Sequence, residues 1–318
     1  MSGAAEGRVR IGVTLGDPRG IGPEIVAAAL DSDALRERAH FVLIGPDGTS
    51  AGPPGESTGT WRDGDGPEAA GRLAGIAIER GTELALRREI AALVTAPIDK
   101  AAFHAGGWRY PGHTEFLRDL TGAPSVAMMM AAEATKLGGP LRVVLATTHL
   151  PLRDVPRTLT SALLVAQATL THHALSRWWG IAEPRLGLCA FNPHASDDGL
   201  FGDEEARLYG PALERLRTLG LHVAGPVPAD TVFGRAIAGE FDAVIAPYHD
   251  VGMAPFKTVS FGSGVNVTLG LPFPRTSPDH GTALDIAGRG VANASSMIEA
   301  IRLALRLAGR FDTASNEP

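Results

Sequence analysis

Residues 241–285, FDAVIAPYHDVGMAPFKTVSFGSGVNVTLGLPFPRTSPDHGTALD, decide the predicted fold and hold most of the candidate functional residues. They open with FDAVIAP, a short apolar run with the length and β-branched content of a buried strand. His249 and Asp250 follow at once, and in open α/β sheets ligands bind outside the carboxyl ends of the strands. Three further polar residues follow in a Gly-rich context: Lys257, Asn266 and Arg275. Each residue alone is as readily part of a polar loop, but together they predict a functional site.

Apolar runs of strand length alternate with segments of helical periodicity along the chain. The predicted strands lie at 9–15, 40–45, 91–97, 123–132, 141–150, 185–196 and 241–250. The predicted helices lie at 23–30, 69–88, 158–178, 203–219 and 293–308. This order predicts an α/β fold with largely parallel sheets and helices on both faces. Residues 46–68, rich in Gly, Pro and Ser, are predicted as a surface loop, and a chain of 318 residues favours two domains.

Composition excludes several classes of function. A net charge of −6 and a pI near 5.9 argue against a nucleic-acid-binding surface, which needs clustered basic residues. A single cysteine, Cys189, allows no disulfide within the chain and favours a reducing compartment. There is no apolar stretch of about 20 residues, and the N-terminal residues lack the apolar core of a signal peptide. We therefore expect a soluble, cytoplasmic protein that binds neither nucleic acid nor membrane.

Three histidines, His149, His194 and His249, each follow a predicted strand. If those strands are parallel, the three side chains lie at the same sheet edge. Three neutral imidazoles around an open coordination position are a common way to hold a catalytic divalent metal ion. The alternative is that each histidine hydrogen-bonds a loop backbone, and the spacing alone does not decide between the two. Zn, Mg, Mn and Co would all suit such a site.

Lys257, Asn266 and Arg275 combine an ammonium, an amide and a guanidinium, which together would bind a phosphate or a carboxylate. The alternative is solvated surface charge. Two Gly-rich segments, GDPRGIGPEI (16–25) and HGTALDIAGRG (280–290), resemble nucleotide-binding turns without the GxGxxG order or a Walker lysine. Asp285 could accept hydrogen bonds from a ribose diol and would repel a 2′-phosphate, which favours NAD while leaving NADP open.

Seven motifs together give the chain a family resemblance. They are GDPRGIGPEI, VTAPIDKAAFHAGG, YPGHTEFL, TTHLPL, FNPHASDDGLFGDEE, YHDVGMAPFK and GVNVTLGLPFPRTSPDHGTALDIAGRG. With them the chain resembles the 4-hydroxythreonine-4-phosphate dehydrogenase family and its phosphorylated sugar-acid dehydrogenase relatives. The resemblance implies two α/β/α domains with mostly parallel sheets, as in isocitrate and isopropylmalate dehydrogenases, with a cleft between them. On that fold we expect one domain from residues 1–115 plus 265–318 and a second from 116–264.

The resemblance also implies roles for particular residues. Metal ligands fall on His149, His194 and His249, and substrate contacts on His113, Thr114, Lys257, Asn266 and Arg275. The tail HGTALDIAGRGVAN also resembles the cofactor loop of isocitrate and isopropylmalate dehydrogenases, which implies cofactor contacts at His280, Gly281 and Asp285. The family is a homodimer whose metal is held by histidines of both chains, with the site at the subunit interface. The general base is not identified by the resemblance, and Lys100 and Asp250 are the candidates. Thr114 is also a candidate N-cap for a helix in 110–122.

The activity that the resemblance implies is metal-dependent, NAD-linked oxidation and decarboxylation of 4-phosphohydroxy-L-threonine to 3-amino-2-oxopropyl phosphate, a step of pyridoxine and pyridoxal phosphate biosynthesis. Some features depart from the family pattern: VGMAPFK stands where QGLPVLK is common, and Arg19 adds a cation to the first Gly-rich turn. Oxidation of 4-phospho-D-erythronate or D-threonate 4-phosphate is therefore an open alternative. A dihydrodiol dehydrogenase is disfavoured because that branch lacks GHTEFL and the arginine. A metal-dependent hydrolase would use the three histidines but would have no use for the HGTALD loop. A phosphate-binding acyltransferase would not need three ligand histidines.

Overall fold

A computed structural model of the chain describes residues 8–314. The described chain forms two compact units: the first runs to Ser125 and resumes at Leu271, and the second spans Val126–Gly270. The sequence predicts these boundaries after residues 115 and 264. The extreme ends of the predicted first domain, residues 1–7 and 315–318, lie outside the described residues.

The elements alternate along the chain. The strands are β1 (Arg10–Thr14), β2 (His40–Asp47), β3 (Glu56–Thr60), β4 (Ala92–Thr95), β5 (Ala127–Ala132), β6 (Leu141–Leu145), β7 (Arg185–Cys189), β8 (His222–Val227), β9 (Ala243–Ala246), β10 (Val265–Leu269) and β11 (Arg275–Pro278). The α-helices are α1 (Gly22–Leu30), α2 (Asp33–Arg36), α3 (Pro67–Leu86), α4 (Lys100–Ala105), α5 (His113–Thr121), α6 (Val155–Thr158), α7 (Ser161–Ala174), α8 (Gly210–Thr218), α9 (Ala229–Ile237), α10 (His249–Ser260) and α11 (Ser295–Ala314). Short 3₁₀ or π turns occupy Leu152–Asp154, Leu175–Trp179, Pro193–Ser196 and Glu205–Tyr209. Over residues 8–314, no helix is both long and apolar enough to cross a membrane.

The first unit is built on a parallel sheet with the strand order β3-β2-β1-β4-β11. Ile11 and Val13 of the central strand β1 are fully buried, as expected for a strand covered on both faces. Thr14 of β1 pairs with Thr95 of β4, so both threonines lie at the carboxyl edge of this sheet. Helix α11 packs on β4 and β11.

The second unit is built on a mixed sheet with the strand order β10-β5-β6-β9-β7-β8. β10, β5 and β6 are antiparallel neighbours, whereas β6, β9, β7 and β8 run parallel. The predicted class, an α/β fold with mostly parallel strands, is confirmed. The parallel group contains the three strands that precede His149, His194 and His249, so the expectation that these strand ends share one edge is also confirmed.

The prediction of one continuous loop over residues 46–68 is wrong, because β3 pairs in parallel with β2 inside it. β3 is the sheet's edge strand in this unit and is mostly exposed, so its sequence ESTGT lacks the apolar alternation that marks half-buried strands. Arg80 of α3 anchors the strand by an ion pair with Glu56, at 2.9 Å.

Two local predictions also need correction, and one helix was not predicted. The polar stretch after Tyr248 is a helix, α10, although it contains Gly252 and Pro255. Residues 225–233, GPVPADTVF, are rich in Gly and Pro, so the sequence predicts a loop behind the 203–219 helix, but they end β8 and begin α9. Helix α5 starts at His113 with Gly112 as its N-cap, so Thr114 lies inside the first turn and is not the cap. For α10 and α9, packing against the sheet outweighs local propensity, which is a weak determinant.

Candidate functional site

His149 and His249 meet in the second unit. Their strands, β6 and β9, are parallel neighbours, with Leu145 paired to Ala246, and the two imidazole ring centres lie 5.5 Å apart. They open into a pocket of about 160 Å³. Its other lining residues are Thr148, Leu150, Leu152, Val155, Tyr248 and Asp250. Ligand pockets generally exceed about 300 Å³, so this one suits an ion with a few ligand atoms better than a whole substrate.

The geometry of this pair fits a shared metal ion. Two imidazoles bound tetrahedrally to one ion have ring centres about 5 Å apart, given metal–nitrogen distances of about 2 Å. Asp250 Oδ1 lies 2.7 Å from His249 Nδ1. A carboxylate bonded to one ring nitrogen fixes the tautomer and presents the other nitrogen to a metal. The structure therefore gives Asp250 a contact suited to orienting His249.

His194 is exposed on the loop after β7, and its ring lies against Phe201, with 6.4 Å between ring centres. It does not line the pocket of the histidine pair. Within the described part of a single chain, no three His, Cys, Asp or Glu side chains are close enough to hold a metal ion. The three-histidine site therefore stays a prediction, and one chain brings two of its members together.

The His194 loop is held by a residue that the sequence analysis missed. Glu205 is 5% exposed, and its Oε1 accepts hydrogen bonds from the backbone N–H groups of Phe191 (2.9 Å) and Asn192 (2.7 Å). Burial alone would raise the pKa of Glu205, but these donors and the Asn192 side chain outweigh it and lower that pKa. The carboxylate thus clamps the start of a loop in which residues 194–198 all have positive φ. In the sequence, the only sign of this role is the pair Glu204–Glu205 at the end of the motif FNPHASDDGLFGDEE.

The first unit groups three predicted site residues: Lys100, His113 and Arg275. Arg275 begins β11, is 2% exposed and donates from Nε (3.1 Å) and Nη2 (2.5 Å) to Thr95 Oγ1. Burial lowers the pKa of Arg275 to about 9. Burial, then the charges of Arg275 and Lys100, hold the pKa of His113 well below its usual value of 6.5. The fold therefore favours the neutral form of His113, near the charges of Arg275 and Lys100.

Three predicted site residues bury a polar atom that has no hydrogen-bond partner among residues 8–314: His113 Nε2, Asn266 Oδ1 and His280 Nε2. A buried polar group without a partner is destabilising by about 1–3 kcal/mol, so each atom calls for a ligand or a bound water. Asn266 lies on β10. The remaining substrate candidates are half-buried: Thr114 in the first turn of α5 and Lys257 in the last turn of α10.

The two Gly-rich segments contact each other in the first unit. Ile21 N donates to Thr282 O at 2.9 Å, and Gly288 N donates to Glu24 Oε2 at 2.9 Å. The predicted cofactor residues lie on the second segment: His280 has its Nδ1 3.0 Å from Gly281 O, and both Gly281 and Asp285 are exposed. An exposed carboxylate beside exposed loop backbone fits the recognition of a ribose diol.

Comparison with known proteins identifies the family to which the sequence is similar. The family model described as pyridoxal phosphate biosynthetic protein PdxA matches residues 54–304. The 4-hydroxythreonine-4-phosphate dehydrogenase of Paracoccus denitrificans is 42% identical over 94% of this chain and 97% of its own length. The D-threonate 4-phosphate dehydrogenase of Cupriavidus necator is also 42% identical, with the same two coverages.

Solved structures show the same family and fold. The 4-hydroxythreonine-4-phosphate dehydrogenase of Klebsiella pneumoniae superimposes with a TM-score of 0.85 at 39% identity, over 96% of this chain and 99% of that one. Isocitrate dehydrogenase of Methylococcus capsulatus has a TM-score of 0.54 at 16% identity, covering 96% of this chain and 88% of that one, and so shares the fold alone. The predicted relation to the isocitrate dehydrogenase fold is confirmed.

Proposed function

The chain belongs to the PdxA family of pyridoxal phosphate biosynthetic proteins, and on that premise we propose that it oxidises and decarboxylates 4-phosphohydroxy-L-threonine to 3-amino-2-oxopropyl phosphate with NAD and a divalent metal ion. Relatives along nearly its whole length are named dehydrogenases of phosphorylated hydroxy acids, so the chain is an oxidoreductase of that class. The product would serve pyridoxine and pyridoxal phosphate biosynthesis. A single, buried Cys189 supports a reducing, cytoplasmic location.

The observation that carries the proposal is the buried cation Arg275 beside neutral His113 and the cation Lys100. Burial disfavours the charged form of Arg275, and an anion placed against it would compensate that desolvation. A phosphorylated hydroxy acid carries two anionic groups, a phosphate and a carboxylate. His113 Nε2 and Asn266 Oδ1 can bond the substrate's hydroxyl or amino groups. Lys257 and Thr114 complete the proposed substrate contacts.

For the metal, His149 and His249 of one chain would be two ligands. We propose that His194 of a second copy is the third, which makes the active form a homodimer. A divalent ion bound there would lower the pKa of the substrate's hydroxyl and stabilise the negative charge that develops as CO₂ leaves. Asp250 orients His249 through its 2.7 Å contact with Nδ1.

NAD would accept the hydride that leaves the hydroxyl-bearing carbon. His280, Gly281 and Asp285 are proposed to hold the dinucleotide, and the exposed carboxylate of Asp285 favours NAD over NADP. We propose Lys100 as the base that removes the hydroxyl proton, because it lies close enough to His113 to influence its pKa. Asp250 is the second candidate for that role, in addition to its contact with His249.

A second substrate is favoured by a specific observation. The Cupriavidus relative named for D-threonate 4-phosphate is as similar to this chain as the Paracoccus relative named for 4-hydroxythreonine 4-phosphate. The two substrates share the phosphate, the carboxylate and the hydroxyl that is oxidised. They differ at the carbon next to the carboxylate, which bears an ammonium in one and a hydroxyl in the other. 4-Phospho-D-erythronate presents the same anionic groups and belongs in the same comparison.

The test is NADH formation with the three phosphorylated acids side by side, with and without EDTA. We expect turnover with one of them, its loss in EDTA, and little activity with NADP. Arg275→Ala should raise KM by tenfold or more, since charge-assisted hydrogen bonds contribute about 1.5–3 kcal/mol. NADH formation that is insensitive to EDTA would contradict the metal role. Phosphate release without NADH formation would instead identify a metal-dependent hydrolase.

A further inference from the structure

Arg19 lies in the turn between β1 and α1 and adds a cation to the first Gly-rich segment. Its Nε and Nη2 donate to the two carboxylate oxygens of Asp17 at 3.1 and 2.7 Å, and its backbone N–H donates to Asp17 Oδ1 at 2.9 Å. Asp17 is 1% exposed. The hydrogen bond with Asp17 raises the pKa of Arg19. The guanidinium is therefore charged and fixed in orientation by a buried partner.

The same guanidinium reaches the start of α4. Arg19 Nη2 lies 3.3 Å from Asp99 Oδ1, and that oxygen also accepts the N–H of Ala102 at 2.8 Å. Asp99 is the N-cap of α4, whose first residue is Lys100. Through one carboxylate oxygen, Arg19 therefore contacts the group that sets where this helix begins and how Lys100 is presented.

The turn that bears Arg19 is also tied to the 280–290 loop. Ile21 N donates to Thr282 O, and a Cβ on Gly20 would lie 2.8 Å from that same oxygen. On the other side, Asp17 N donates to Pro97 O at 3.0 Å, just before α4. The turn therefore contacts both the α4 entry and the loop that carries the proposed cofactor residues.

We propose that Arg19 is a positioning residue that fixes Lys100 relative to the 280–290 loop. The proposal rests on the proposed function in so far as Lys100 and that loop are assigned to catalysis and to the cofactor. A direct role for Arg19 in binding a cofactor phosphate fits the geometry less well, because its Nε and Nη2 groups already face the carboxylates of Asp17 and Asp99. Arg19 thus acts through the elements that it connects.

A kinetic test separates positioning from general stability. Arg19→Met should lower kcat about tenfold or more, since small misplacements of reacting groups have large effects on rate. Arg19→Lys should restore part of the rate, because one ammonium keeps the charge but cannot form the same fork. Arg36→Met is the matched control: it removes an exposed Arg–Asp pair of the same unit, with Asp31 at 2.7 Å, and should leave kcat unchanged. An unchanged kcat in folded Arg19→Met would overturn the proposal.

Hydrogen–deuterium exchange tests the inference without any activity. In Arg19→Met, exchange should rise both in residues 98–104 and in residues 280–288, and it should rise in neither with Arg36→Met. Asp99→Asn keeps a capping oxygen but loses the ion pair, so exchange should rise in 98–104 alone. The double variant should then add little in that segment to Arg19→Met, as expected for one shared interaction.

The kinetic and exchange measurements distinguish a failure of the proposed function from a failure of the inference about Arg19. If the wild-type chain forms no NADH with any of the three acids, the proposed function fails while the exchange pattern still decides the role of Arg19. If Arg19→Met does not fold, Arg19→Lys is compared with wild type by the same two measurements. If wild type and every folded Arg19 variant exchange equally in both segments, Arg19 does not fix Lys100 relative to the 280–290 loop.

Discussion

His113 illustrates how burial sets the charge of a candidate substrate-binding residue. In the unfolded chain it titrates near pH 6.5, but burial and the nearby Arg275 and Lys100 lower its pKa in the folded state. Below pH 6.5 the unfolded state therefore binds a proton that the folded state does not. The stability that depends on neutral His113 is fully present above pH 6.5 and decreases as the pH falls, by up to about 1.4 kcal/mol per pH unit.

We expect His113→Asn to reduce the pH dependence of the unfolding free energy between about pH 6.5 and pH 5. Urea unfolding at a series of pH values measures this pH dependence. Some slope will remain, since burial also lowers the pKa of His172. His40→Asn, which replaces an exposed histidine at the start of β2, is the control for removing a histidine that is not buried. Equal slopes for wild type and His113→Asn would show that His113 is not held neutral by the fold.

Residue types were predictable from the sequence, but burial and partners were not. Lys257, Asn266 and Arg275 were recognised from their chemistry, yet no strand was predicted at Arg275, which is buried at the start of β11. Glu205 was missed because its carboxylate acts on backbone groups 13 and 14 positions earlier. Contacts between segments that lie far apart along the chain leave no local pattern in the sequence.

Helix α10 depends on one glycine for its position on the sheet. A Cβ on Gly252 would lie 2.8 Å from Leu145 Cδ2, 2.9 Å from Ala246 Cβ and 3.0 Å from Val143 Cγ1. The helix is therefore in direct contact with β6 and β9, the two strands that precede the histidine pair. Since His249 is the first residue of α10, this close packing also fixes one ring of the pair.

Gly252→Ala should therefore destabilise the protein, although alanine is the better helix former by about 1 kcal/mol. Overpacking a filled core has an unfavourable effect of about 1–3 kcal/mol, and Ala246 Cβ is bound directly to the backbone of β9. Gly234→Ala in α9 is the matched control, because a Cβ there meets nothing within 4 Å. It should stabilise by up to about 1 kcal/mol. Thermal and urea unfolding measure both changes; stabilisation by both alanines would disprove the packing argument.

At the level of elements, periodicity predicted the buried strands and failed where packing permits unusual residues. β1, β4, β6 and β9 are apolar runs and were found as strands. α10 was not predicted as a helix because Gly and Pro usually end helices, yet Gly252 allows the close approach and the helix accommodates Pro255. β3 was missed because an exposed edge strand needs no apolar face.

At the level of the whole molecule, the alternation of strands and helices was enough to predict the α/β class. It could not predict which histidines meet within a chain. Among the described residues, one chain pairs His149 with His249 and leaves His194 exposed on a separate loop. If a metal site needs all three imidazoles, symmetry requires that two copies exchange His194 across a two-fold axis.

Mixed dimers test this exchange. His149→Ala and His194→Ala should each be inactive alone, but a mixed dimer of the two has one site with all three histidines. Random assembly from equal amounts should restore about a quarter of wild-type NADH formation, because half of the dimers are mixed and each has one intact site of two. Co-expression with two different affinity tags isolates the mixed dimer, and its metal content should be one ion per dimer.

The control mixture is His149→Ala with His249→Ala. These two histidines belong to the same chain's pair, so every site in the mixed dimer lacks one of them, and activity should not return. Recovery in both mixtures would mean that His149 and His249 serve different sites, against the 5.5 Å geometry. Recovery in neither would place all three ligands within one chain, and activity of His194→Ala alone would remove His194 from the site. Only recovery in the first mixture alone agrees with an imidazole contributed by the second copy.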